Sequence, residues 1–227
     1  NEIFLVSPLT VAKALFTLIG QGKFWMTIAY SFLRIVLGFL LATLTGILLA
    51  TLAYRFELLK ELIHPVIAVV KAAPVASFVI LALLWVDGSS LSILISFLMV
   101  VPIIYTNVYQ GLMAADKKLL EMALVFRVKR TKRIRAIYIP SVMPYFISAV
   151  TIGLGFCWKA GIAAEVIGIP SGSIGERLYE AKIYLITDEL FAWTAVIIVI
   201  SILFEKAVLH LLRLSGLNSY DSNRDNT

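Results

Sequence analysis

Residues 25–54 read WMTIAYSFLRIVLGFLLATLTGILLATLAY, thirty positions that carry a single charge, Arg34. Crossing a hydrocarbon core of ~30 Å takes about 20 helical residues, so this run is long enough to span a bilayer and to tilt in it. Within it Gly38, Ala42, Gly46 and Ala50 recur every four residues, on one helical face. Glycine weakens an isolated helix. Its repetition on one face is explained by packing, because small residues let a second helix approach closely. That face is expected to meet protein.

Four further charge-poor runs follow, at about 62–86, 91–109, 141–167 and 190–212, making five expected spans. Composition agrees: 60% of the 227 residues are hydrophobic and 15% charged, with a mean hydropathy of +0.94, whereas soluble domains run near 45–50% and 25%. The fold class is therefore an all-α, polytopic membrane protein. Upstream, Ser7-Pro8-Leu9-Thr10 has the form of a helix start, with Ser7 as N-cap and Pro8 in the first turn. The short helix up to Ile19 is amphipathic and expected at the interface. Pro65, Pro74, Pro102 and Pro144 each remove a backbone donor, implying kinks or helix starts. The membrane domain is placed at 1–213, with a polar tail at 214–227 expected to be disordered.

Charge orients the chain. Of its twenty basic residues, eight lie between Gly111 and Pro140: Lys117, Lys118, Arg127, Lys129, Arg130, Lys132, Arg133 and Arg135. With Arg55, Lys60, Arg213 and Arg224 they place twelve cations on one side, against Lys13, Lys23, Arg177 and Lys182 on the other. The richer side is expected to be cytoplasmic, and the 168–189 loop external. The net charge of +6 thus does not point to nucleic acid, and no aromatic stacking pattern accompanies it. The single cysteine, Cys157, allows neither an intrachain disulfide nor a cysteine-cluster metal site; in an apolar run it reads as a small buried hydrophobe. There is no G-x4-G-K-[ST] phosphate loop, His64 and His210 are far apart, and no catalytic constellation is present. No enzymatic activity, bound cofactor or metal is expected in this chain.

The basic loop begins Leu119-Leu120-Glu121-Met122-Ala123-Leu124-Val125-Phe126-Arg127 and ends Ile137-Tyr138-Ile139-Pro140. Between Asp116 and Phe126 it reads as a short amphipathic helix. Asp116 suits its N-terminus and Arg127 its C-terminus, and Leu119, Leu120, Ala123 and Phe126 form one apolar face. Such a face outside the spans needs cover from lipid headgroups or another protein. In this segment the chain resembles the permeases of bacterial ABC importers. Their signature is E-A-A, three residues, G, nine residues, I-x-L-P, and Glu121, Ala123, Ile137 and Pro140 fall in register with it. Met122 replaces the first alanine, Ile139 the leucine, and Arg127 stands where glycine is expected, which leaves the sharpness of the following turn open. Ser7-Pro8, Ser31-Phe-Leu-Arg34 with Gly38, Ala73-Pro74, Leu84-Trp85 and Ala164-Glu165 resemble the nitrate, sulfonate, taurine and thiamine-precursor permeases.

The resemblance implies a type I importer permease fold in a bacterial cytoplasmic membrane, with one further span before the Ser7-Pro8 segment. It implies partners: a second permease subunit, as a homodimer, two cytoplasmic ATP-binding subunits that hold ATP and Mg, and an external substrate-binding protein. On this reading Leu119, Leu120, Glu121, Ala123, Phe126, Arg127, Ile137 and Pro140 couple to the ATPase. The solute that the resemblance implies is small, with an anion such as a sulfonate or nitrate as one option and taurine or a thiamine precursor as others. An autonomous secondary transporter or channel is the rival reading; an internal inverted repeat would favour it, and none is found.

Ionisable residues inside spans mark candidate pathway positions. Lys159 and Glu165 lie among Gly153, Gly155, Gly161 and Ala163 in the fourth span. Six residues apart on a helix is about 120° between faces, so each needs its own partner. Trp158 and Gly161 share the face of Glu165. Lys159 is read as facing an anionic substrate, Glu165 as a structural, gating or substrate residue, and Arg34 as a structural pair, a carbonyl clamp or a pathway residue. Lys71, near the membrane boundary, is read as snorkelling.

Overall fold

The computed structural model describes residues 6–214, and among them there are helices and turns but no strand. The elements are α1 (Pro8–Ile19), α2 (Gly22–Arg55), α3 (Glu57–Ala72), α4 (Val75–Ala82), α5 (Gly88–Met113), α6 (Lys117–Val125), α7 (Arg130–Arg133), α8 (Ile139–Gly168), α9 (Ile174–Ile183) and α10 (Thr187–Leu214). A π-helical turn, Ile134–Tyr138, joins α7 to α8. Of the tail expected at 214–227, Leu214 closes α10, and residues 215–227 lie outside the described residues.

Among the described residues, four helices are long and apolar enough to cross a membrane: α2, α5, the continuous run Arg130–Gly168, and α10. The expected second span is not one helix. It is the pair α3 and α4, bent by 103° at a break. The cause is Ala73-Pro74. The residue before a proline is driven out of the helical region, and Ala73 sits at ψ 138 with Pro74 at φ −62 as the cap of α4. Pro65, Pro102 and Pro144 lie inside α3, α5 and α8 instead. Ser7 caps α1 with Pro8 in its first turn, as the sequence suggests, its Oγ accepting from the Leu9 N–H at 3.4 Å.

The expected fourth span, from about Ser141, also changes. Helix begins at Arg130, inside what reads as a basic loop. A proline clashes with the carbonyl four residues before it and cannot donate to it. Pro140 is accommodated because the turn before it is widened: the Ile139 N–H donates to Ile134 O, a five-residue span. The π register lets the helix run through a position where α-helical spacing would break.

The core is where α2, α5 and α8 close on one another. Helix α2 buries Ser31, Ile35, Gly38, Ala42, Gly46 and Ala50 along one stripe, so the small-residue ridge does face protein. A Cβ at Gly38 would stand 2.6 Å from Ile93 O, and one at Gly46 2.8 Å from the Ile104 side chain, both on α5. Helix α8 approaches as closely: a Cβ at Gly161 would lie 2.7 Å from both Ile35 Cγ1 and Ser96 Oγ. Ser96 Oγ donates to Cys157 O at 3.1 Å, tying α5 to α8. Cys157 itself is fully buried. Aromatic rings bring α10 onto this core, Phe204 lying 5.2 Å from Phe32 and 6.3 Å from Trp158. The rest of α10 exposes Ile198, Val199, Ile202 and Leu203, an outer face for lipid or another chain.

Gly46→Ala is expected to destabilise the protein by about 1–3 kcal/mol, the usual cost of overpacking. Gly155→Ala, where nothing stands within 4 Å of the added carbon, is expected to be neutral or slightly stabilising, since alanine favours helix by about 1 kcal/mol. Thermal unfolding of both variants in detergent checks this; equal shifts would mean that the α2–α5 contact has no energetic weight.

Candidate coupling helix and transport pathway

Asp116 accepts from the Lys118 N–H through Oδ1 at 2.8 Å, which caps α6 at its N-terminus. At the other end Phe126 is the cap residue, and two backbone bonds close the helix: Arg127 N–H to Leu124 O at 3.0 Å and Val128 N–H to Ala123 O at 2.9 Å. This is a Schellman turn, whose residue after the cap adopts the left-handed conformation and is usually glycine. Arg127 occupies it at φ 51. The sharp turn therefore forms without the glycine, with a side chain in a region that costs about 1–2 kcal/mol.

The apolar face of α6 is rotated from the one read in the sequence. Ala123 is buried and Leu120 half-buried, so these two point inward. Leu119, Met122, Val125 and Phe126 point outward, Val125 and Phe126 at 79% and 74% exposure. Glu121 and Arg127 are exposed beside them. Ile137 and Pro140 are partly buried within the π turn and the start of α8, away from that surface. Helix α6 hangs from α5 by residues 114–116 and from α7 by residues 126–129.

The pathway candidates separate. Lys159 is exposed on α8, on the same face as Ile152, Phe156 and Ala163, and forms no ion pair among the described residues. Trp158 is 2% exposed and packed between Phe32 and Phe204. Glu165 is fully buried. Its Oε2 accepts from Ser31 Oγ at 2.7 Å and from the Gly175 N–H at 3.3 Å, while Ser31 Oγ accepts from the Ile174 N–H at 2.9 Å. One carboxylate thus joins α8, α2 and the first turn of α9, where a helix N-terminus favours negative charge. Arg34 stacks on the Tyr30 ring, its guanidinium carbon 3.9 Å from the centroid, a cation–π contact within one helix.

A cleft of about 570 Å³ between α3 and α5 was not read from the sequence. Lys60, His64 and Lys71 line one side, and Tyr105, Thr106, Tyr109 and Gln110 the other, with Tyr105 and Tyr109 stacked at 6.1 Å. The signal was available: Lys60, His64 and Lys71 fall at i, i+4 and i+11 on one helical stripe. Lys71, read as snorkelling, is among the residues that line this cleft.

Removing the buried carboxylate strands one backbone donor, the Gly175 N–H, and the Ser31 hydroxyl. Glu165→Ala is expected to lower stability by about 1–3 kcal/mol, the cost of buried groups left unpaired, and Glu165→Gln, which keeps an acceptor oxygen, by less. Thermal unfolding in detergent separates the two, and equal losses would mean that the charge rather than the bonding matters.

Residues 42–213 match the family described as binding-protein-dependent transport system inner membrane component. The chain is 28% identical to the aliphatic sulfonates transport permease protein SsuC of Bacillus subtilis (strain 168), over 96% of this chain and 79% of that protein. It is 26% identical to the taurine transport system permease protein TauC of Escherichia coli (strain K12), over 94% and 79%. The nitrate import permease protein NrtB of Synechococcus elongatus is 29% identical over 69% of this chain and 56% of its own length. With several apolar spans, a capped helix between two of them and a match across most of its length, the chain belongs to the binding-protein-dependent inner membrane permeases and is a permease subunit of an ABC importer.

Proposed function

We propose that α6 is the seat of a cytoplasmic ATP-binding subunit, and that two permease subunits enclose the pathway for a small anionic solute delivered by an external binding protein. The observation that carries this reading is the outward apolar face of α6, Leu119, Met122, Val125 and Phe126. It stands outside every span and is joined by short links to two membrane helices. A helix offering a row of large apolar side chains fits a groove on a partner. Arg55 ends α2, and Arg130 and Arg133 lie on α7, which follows α6 after residues 126–129; these cations support a cytoplasmic location for this end. ATP and Mg belong to the partner, whose closure pushes on α6 and through it on α5 and α8.

For the solute, the relatives' names carry sulfonate, taurine, nitrate and bicarbonate, each with an anionic group. Lys159 supports the same chemistry here. A charge on an open apolar helix face is costly unless a water-filled path or a second subunit covers it. The cleft adds the ammonium of Lys71, with Lys60 beside it paired to Glu57. Glu165, Trp158 and Arg34 act on this path through packing, as positioning residues between α2, α8 and α9.

Truncating a buried aromatic anchor can cost roughly 2 kcal/mol or more of binding. Phe126→Ala is therefore expected to weaken copurification of the ATPase subunit at least tenfold, and Glu121→Lys to impair uptake, while insertion survives both. Lys159→Met is expected to abolish uptake and leave assembly and basal ATPase activity intact. Pull-down and uptake by the reconstituted complex check all three. Full transport by the permease without an ATPase would instead establish the autonomous-transporter reading.

A further inference from the structure

Beside the exit of α2 the basic residues that play no part in α6 build a cavity of about 460 Å³, within the ~300–1,000 Å³ range of ligand pockets. Tyr54 and Arg55 line it from the last turn of α2, Leu112 from α5, Arg130 and Arg133 from α7, and Tyr138 from the π turn. Three arginines thus line one cavity with no carboxylate in the lining. Bringing like charges together is unfavourable unless an anion sits between them. Arg133 adds a second sign, because its Nε is buried and has no hydrogen-bond partner among the described residues. A buried donor left unpaired is costly. The Tyr54 and Tyr138 hydroxyls share a hydrogen bond at 3.5 Å, which leaves one O–H as a further donor. The neighbouring backbone is a π turn, a device found frequently at functional sites.

We propose that this cavity is a phosphate site that takes the headgroup of an anionic phospholipid and so fastens the root of the α6 loop to the membrane. Guanidinium forks match phosphate oxygens in geometry and are favoured where phosphate is bound. Position points to a headgroup as the source. Arg55 is the last residue of α2, one of the helices long and apolar enough to cross a membrane, and basic pockets between helices on the cytoplasmic side of such spans bind lipid headgroups. Leu112 and Ile134 supply an apolar wall for the glycerol portion. The site does not require α6 to bind an ATPase, and its test is independent of that reading.

The test is lipid retention by the protein purified in neutral detergent with the subunits that copurify, read by native mass spectrometry. Phosphatidylglycerol and phosphatidylcholine are supplied in equal amounts, with and without added inorganic phosphate. The wild type is expected to hold phosphatidylglycerol preferentially, and each arginine near a membrane surface contributes about fivefold. Arg130→Gln with Arg133→Gln is then expected to lower retention about 25-fold, and Arg55→Gln alone about fivefold. Should the double variant not fold, competition on the wild type decides: inorganic phosphate is expected to displace phosphatidylglycerol only weakly. Strong binding of inorganic phosphate with no preference between the lipids would keep the phosphate chemistry and overturn the headgroup. Equal retention of both lipids without phosphate binding, or full retention by the folded variants, would overturn the site. So would a preference seen only after the copurifying subunits are stripped away, because a partner's carboxylate would then fill the cavity.

Discussion

Ser96 marks the point on which the bundle closes. Its Oγ donates to Cys157 O on α8, and its side chain stands where a Cβ on Gly38 of α2 or on Gly161 of α8 would intrude. Three membrane helices reach backbone contact there only because two of them carry glycine. Lipid offers no hydrophobic force to press helices together, so close packing and interhelical hydrogen bonds must hold them. The same approach explains where the polar groups go. Ser31 and Glu165 are buried one turn or two away on these helices, and their hydrogen bonds carry the closed core outward to α9.

On the proposed coupling reading, this arrangement is what gives the loop helix its mechanical value. Helix α6 is tied to α5 and to the run that becomes α8, and those two helices are clasped together from Gly161 and Ser96 down to Gly111, where a Cβ would lie 2.8 Å from Val142 Cα. A displacement of α6 therefore moves a clasped pair rather than one helix. The broken pair α3–α4 lies outside the clasp and packs a smaller cluster, in which Val79 and Ala82 meet Leu91, Ile95 and Ala160. Its 103° break gives that side of the bundle a joint, next to the cleft that gathers Lys60, His64 and Lys71.

Much of this was legible in the sequence, for identifiable reasons. Charge-poor runs reveal spans because the bilayer demands length and apolarity; the Gly38 to Ala50 ridge reveals a contact because repeated small residues have no other use. The N-cap at Asp116 and the apolar spacing after it revealed α6. What escaped depends on information that is not local. Proline marks a possible break but does not say that Pro74 breaks a helix while Pro65 does not. The charges of 130–140 resemble a loop because a π turn has no composition signature. Arg127 hides a left-handed turn that glycine would have announced. The rotation of the α6 face follows from which side the bundle covers, and Ser31 meets Glu165 across 134 positions.

The central claim is that the outward face of α6 is covered by an ATP-binding subunit, and accessibility of that face tests it most directly. The one native cysteine, Cys157, is fully buried, so a cysteine placed at Val125 is the reactive thiol of the protein. Labelled with a maleimide in the detergent-purified permease alone, Val125→Cys should react rapidly, as 79% exposure requires. With the ATPase subunit added, labelling should slow at least tenfold, in proportion to the protein bound, because a desolvated interface excludes the reagent. Labelling that proceeds at the same rate while the ATPase is demonstrably bound would place the coupling surface elsewhere.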